Sequence, residues 1–145
     1  MKTLVALLSI TVAFQGRADA YIRLAFDVGG QAKSIQWSAS PRWFATDRGV
    51  PGVSASQFQA EVQRAFETWG AVPTASIGAQ FVGFVSARPS DTDNISVFGF
   101  EDQPPDMDRV LAATGFTIDT LTGDIIESDV FFNTRFTWSA AQSGE

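Results

Sequence analysis

Cysteine and histidine are both absent from this 145-residue chain, and tyrosine occurs once. Without histidine, no serine or cysteine triad of the usual kind can be assembled. Without either residue, the ordinary zinc ligands are missing, and without cysteine no disulfide staples the fold. Neither GxGxxG nor GxxxxGK[ST] occurs, so no nucleotide loop is indicated. Positive charge is also scarce: 10 Lys and Arg stand against 16 Asp and Glu, a net charge of −6. No basic patch is available to neutralise phosphates, which excludes nucleic acid as a partner.

The N-terminus sets the expected compartment. Lys2 precedes an apolar run, Leu4 to Phe14, which Gln15, Gly16 and Arg17 interrupt before Ala18-Asp19-Ala20. A positive start, a short apolar stretch and a small-x-small site are the layout of a cleaved secretory signal. A membrane-spanning helix needs about 20 apolar residues, and this run is shorter. The expectation is a signal peptide over 1–20 and one mature domain over 21–145, secreted to the extracellular space or periplasm. No membrane association is expected after cleavage.

Local patterns then give the elements. Tyr21 to Phe26 is predicted as a first strand, with Asp27-Val28-Gly29-Gly30 as the turn after it. Ser34 to Trp43 carries Pro41, which demotes it to an edge or bent segment. Asp47-Arg48-Gly49-Val50-Pro51-Gly52 is a loop. Ser54 and Gln57 form a capping box, and Val53 with Phe58 can form a hydrophobic staple. Phe58, Val62, Ala65, Phe66 and Trp69 recur at helical spacing, so a helix is predicted over Ala55 to Trp69, ended by Gly70 and Pro73. Beyond it the period becomes two. Ile77 to Val85, Ile95 to Phe100, Leu111 to Ile118 and Ile125 to Phe132 read as strands, the last antiparallel to the one before it. Apolar residues on both faces of Phe81-Val82-Gly83-Phe84-Val85 point to a buried central strand. Thr120-Leu121-Thr122-Gly123 is a turn. The predicted class is α/β (α+β): a mixed, mostly parallel twisted sheet with a long helix packed on it.

Carboxylates are the remaining chemistry. Glu127 and Asp129 leave one face of a predicted strand. They suit either a glycosidase-like pair or oxygen ligation of a hard cation; the plainer reading is a solvated strand face opposite Ile126, Val130 and Phe132. The acidic loop Glu101 to Asp108 and the turn Asp91-Thr92-Asp93-Asn94 allow the same choice between calcium and solvent. Gly52-Val53-Ser54-Ala55-Ser56 only superficially resembles a nucleophile elbow, because Ser54 is better used as a cap. Trp37, Trp43, Trp69 and Trp138 read as packing residues.

The order of several segments resembles the N-terminal part of matrixin-like metallopeptidases of the metzincin clan. They are Pro41-Arg42-Trp43, Gly52-Val53-Ser54, Ala65-Phe66-Glu67-Thr68-Trp69-Gly70, Asn94 to Phe100, Leu111-Ala112-Ala113-Thr114, Thr122-Gly123-Asp124-Ile125, Ser128 to Asn133, and Phe136-Thr137-Trp138-Ser139. The resemblance implies that Leu111, Ala112 and Ala113 belong to an edge strand above a cleft, which pairs with an extended peptide or protein substrate by β-augmentation. It also implies zinc, and possibly calcium, as cofactors of a full-length parent, with Asp129 and Asn133 as weak calcium candidates. Thr114 and Phe131 stand where animal members carry histidines for a structural zinc. The family's HExxHxxGxxH helix supplies three zinc ligands and a glutamate that activates water. The chain reaches Ser143-Gly144-Glu145 where a linker into that helix is expected. The expectation is therefore an N-terminal fragment of a secreted zinc endopeptidase, with no catalytic residue and no metal ligand of its own and inactive as given. The alternative is a non-enzymatic secreted domain that binds peptide or protein through its edge strand.

Overall fold

A computed structural model of the chain describes residues 24–74, 78–102, 107 and 109–141. The signal segment, the expected strand start at Tyr21, most of the acidic loop and the last four residues lie outside the described residues. Within them the architecture is mixed α/β, with one helix, a two-stranded hairpin and a five-stranded sheet.

The hairpin comprises β1 (Ala25–Val28) and β2 (Gln31–Ser34), paired antiparallel. The expected turn is thus shorter than four residues. Asp27 and Val28 continue the strand and only Gly29-Gly30 turns, with the Gly30 amide donating to Asp27 Oδ1 at 3.1 Å. A linker follows, carrying Trp37 and Pro41 to β3 (Arg42–Thr46). The bent-segment reading of Ser34 to Trp43 is correct for its middle, since strands occupy only its two ends.

Helix α1 spans Ala55–Gly70, one residue beyond the expected end. Both halves of the capping box are made: the Gln57 amide donates to Ser54 Oγ at 3.2 Å, and the Ser54 amide donates to Gln57 Oε1 at 2.9 Å. Ser54 is therefore a helix cap. The buried stripe contains Phe58 and Val62, with Phe66 partly buried against the core. It stops there, because Trp69 is 62% exposed.

The remaining strands are β4 (Gln80–Val85), β5 (Ser96–Glu101), β6 (Ala112–Ile118) and β7 (Ile125–Asn133), in the order β4-β3-β5-β7-β6. The pairs β4–β3, β3–β5 and β5–β7 are parallel, and β6–β7 is antiparallel. The central strand is β5; β4 is an edge, contrary to its expected buried position. A register shift between Trp43 and Phe44 pairs Trp43 with Phe81 and Phe44 with Gly83, leaving Val82 as the extra residue. The bulge puts Phe81 and Phe84 on one face, where their rings meet at 5.5 Å. Bulges at sheet edges bend the strand and disrupt the ladder, which discourages pairing with a further chain. The two-sided apolar pattern thus arises from a bulge that re-aims a phenylalanine.

The core lies between α1 and one sheet face. Trp43, Ala45, Val53, Phe58, Val62 and Phe100 are its buried members. Phe58 meets Phe100 and Phe132 at 4.7 and 5.1 Å, while Trp43 meets Phe66, Phe81 and Phe98 at 5.7, 4.8 and 5.3 Å. These tilted and edge-on geometries are the ones ring quadrupoles favour.

The β6–β7 turn is tied to the hairpin. The Gln36 amide donates to Gly123 O at 3.1 Å, and the Ile125 amide donates to Gln36 O at 2.9 Å. Gly123 has φ +88°, and a Cβ there would lie 2.3 Å from Ser34 O, a backbone atom with little freedom to move. Gly123→Ala is expected to destabilise the fold by about 2–4 kcal/mol, combining left-handed strain with a backbone clash. Urea denaturation will measure it, and a loss under about 0.5 kcal/mol would show that the hairpin is not docked on this turn.

Candidate functional site: an edge strand above buried carboxylates

Strand β6 borders the sheet, and among the described residues no strand pairs with its outer side. Its register with β7 runs from Ala112 opposite Phe132 to Ile118 opposite Ile125, with an irregularity between Thr117 and Ile118. Strand alternation assigns the faces. Phe132 contacts Phe58, so Ala112, Thr114 and Phe116 share the α1 side, while Ala113, Gly115 and Thr117 share the opposite side. Leu111, expected in this strand, lies just before it. Its carbonyl accepts from the Asn133 amide at 2.8 Å, and its side chain is 57% exposed. Thr114, Gly115 and Phe116 are exposed along the outer edge.

An apolar groove of 260 Å³ opens on the α1 side. Val53, Phe58 and Val62 form one wall, Phe100 and Phe132 the floor, and Trp138 the other wall. Trp138 is held there by its indole N–H, which donates to Asn133 O at 2.8 Å.

Glu127 and Asp129 occupy the other sheet face, and the solvated-face expectation is corrected there. Both are buried, at 3% and 6% exposure, because the β4–β5 connection folds over them. Glu127 Oε2 accepts the amides of Asp93 (3.1 Å) and Asn94, and Oε1 accepts the Thr117 hydroxyl at 2.9 Å. The carboxylate clamps a loop to a strand pair. Asp129 Oδ1 accepts the Val97 amide at 2.8 Å. Burial pushes the Asp129 carboxyl up to about 7; the Val97 amide opposes this, while the charges of Glu127, Asp93 and Asp91 add to it. Meanwhile Ile126, expected on the covered side, is 43% exposed, and it is the β7 residue that the irregularity between Thr117 and Ile118 leaves out of register.

This loop was not legible as a lid on the sheet. Asp91 to Asn94 reads as a turn and is one: Asp91 Oδ2 accepts the Arg88 amide at 2.8 Å, Asp93 Oδ1 accepts the Ile95 amide at 3.1 Å, and Asn94 takes φ 65°. Nothing local says that its amides will meet a glutamate more than thirty positions away.

The two calcium candidates face the same side of β7 but are four residues apart, about 13 Å along a strand. Asn133 is fully buried as a clip: Nδ2 donates to Val110 O at 2.9 Å, and Oδ1 accepts the Arg135 amide at 3.0 Å. The two residues do not converge on one ion. A zinc ion of the kind the resemblance implies does not fit these residues either. The sequence offers no imidazole or thiolate, and among the described residues no group of three His, Cys, Asp or Glu is placed to hold a metal. Among the described residues no helix is long and apolar enough to cross a membrane.

Comparison with protein-family models, curated proteins and solved structures gave no match for the chain.

Proposed function

We propose that this chain is the helix-on-sheet portion of a secreted, matrixin-like zinc endopeptidase, and that β6 is the rail along which its peptide substrate lies. The observation that carries the reading is the placement of β6: an antiparallel edge on an otherwise parallel sheet, with no strand among the described residues on its outer side. An extended peptide added there gains main-chain hydrogen bonds, and the alternating side chains of β6 read its alternate residues. The small side chains of Ala112 and Ala113 leave room for close approach at one end. The apolar groove under Trp138 is in keeping with the same reading, since a further helix packed against the sheet would cover it.

Peptide hydrolysis itself belongs to zinc ligands that this sequence does not contain, so the 145-residue chain is expected to bind peptide without cleaving it. The lack of imidazole beside an intact edge strand also favours a second reading, a non-enzymatic secreted domain that captures peptide or protein on β6. One experiment addresses the shared part. Extended hexapeptides titrated into the isotope-labelled chain are expected to shift the backbone amides of Ala112 to Phe116, and N-methylation of alternate peptide nitrogens is expected to abolish binding. Equal binding of the methylated peptide would reject both readings. The reading frame after Glu145 separates them: an HExxHxxGxxH motif supports the endopeptidase, and a continuing frame without one leaves the binding domain.

A further inference from the structure

We infer that the hollow at the carboxyl ends of the parallel strands is a second binding site, separate from β6, for a small zwitterion bearing one carboxylate and one ammonium group. In open sheets with parallel strands, ligands collect where the strands' carboxyl ends and the loops leaving them meet. All four parallel strands contribute here. Arg48 to Pro51 follow β3, Arg88 follows β4, Glu101 and Asp102 end β5, and Thr134 follows β7, enclosing 480 Å³. That volume is within the range of small-molecule sites.

Both walls are fixed by hydrogen bonds. Arg48 Nη2 donates to Ser86 O at 3.2 Å, and the Arg48 carbonyl accepts the Thr46 hydroxyl at 3.2 Å. The Arg88 amide is held by Asp91, as described above. Across the hollow the Thr134 amide donates to Glu101 O at 3.2 Å, and the Thr134 hydroxyl donates to Asp102 Oδ1. Among the described residues no carboxylate is paired with Arg48 or Arg88. Two guanidinium groups therefore line the same hollow as the Asp102 carboxylate. Guanidinium forks suit a carboxylate. A bare anion would also meet the exposed Asp102 carboxylate, and a bare cation would meet the arginines. A ligand with both charges satisfies each wall.

The test is an isotope-edited titration of the full 145-residue chain with three probes: diglycine, acetate and ethylammonium. Diglycine is expected to give saturable shifts at Gly49, Arg88, Asp102 and Thr134, with affinity at least about threefold tighter than acetate or ethylammonium. Arg88→Gln and Asp102→Asn, both at exposed positions, are each expected to weaken diglycine by about tenfold while leaving the core resonances unchanged. Non-saturable shifts, equal binding of acetate and diglycine, or diglycine affinity unchanged in both variants would each overturn the assignment.

Discussion

Phe58→Ala is expected to lower the stability of the fold by about 3–5 kcal/mol. Phe58 is 5% exposed and is the ring through which α1 touches both β5 and β7. Its loss removes the transfer energy of a phenyl group and leaves a void. The void would join the groove already open beneath Trp138, so α1 cannot close it by sliding without losing Val62 as well. Against the 5–15 kcal/mol that holds an ordinary domain together, the loss is a large fraction. Phe58→Leu, which keeps most of the volume, is expected to cost under about 1.5 kcal/mol. Urea denaturation followed by tryptophan fluorescence measures both. A Phe58→Ala midpoint equal to that of the parent would mean that the helix is not packed on the sheet.

The second large effect is a dependence on pH that traces to Asp129. Its carboxyl is raised from 3.8 to about 7 in the fold, so between these values the folded chain holds a proton that the unfolded chain has released. The contribution of Asp129 to stability is therefore fully present below about pH 3.8, is lost progressively as pH rises, and is gone above about pH 7. Asp129→Asn retains an oxygen to accept the Val97 amide and cannot ionise. The variant is expected to exceed the parent in stability at pH 8, by on the order of 2–4 kcal/mol, and to converge with it near pH 4. Paired melts across this range test the sign. A constant difference between the two proteins from pH 4 to 8 would show that Asp129 titrates normally.

Glu127 contrasts with Asp129 although only two positions separate them. It accepts two loop amides and a threonine hydroxyl, whereas Asp129 accepts one amide while facing three other carboxylates. On sequence spacing the two are equivalent, and strand periodicity places both on one face. Periodicity carries no information on which face is covered, because a polar face is ordinarily the solvated one. The β4–β5 connection reverses that expectation by supplying backbone amides to the carboxylates, and charge buried under a loop is tolerable only when such donors are present.

A related limit explains β4. Its apolar residues read as those of a doubly covered strand, yet the bulge at Val82 produces the same composition on an edge. A bulge depends on how Trp43 and Phe44 pair with the neighbouring strand, which lies outside any short window of sequence. The end of α1 misled for another reason. Trp69 keeps the helical spacing of the stripe, but the stripe is buried only as far as the sheet extends beneath it. The same limit applies to Gly99, where the approach of Thr46 from β3 leaves no room for a Cβ.

Short-range rules were sufficient wherever the decisive partner was near in the chain. The capping box of α1, the turn ending at Gly123, the antiparallel return of β7 on β6 and the missing imidazole and thiolate groups all follow from residues a few positions apart or from composition alone. The tertiary structure decided the rest: the order β4-β3-β5-β7-β6, the edge position of β4, the burial of Glu127 and Asp129, and the convergence of Arg48, Arg88 and Asp102. Each of these depends on contacts between distant segments, whose energy is realised only when the chain has closed around one core.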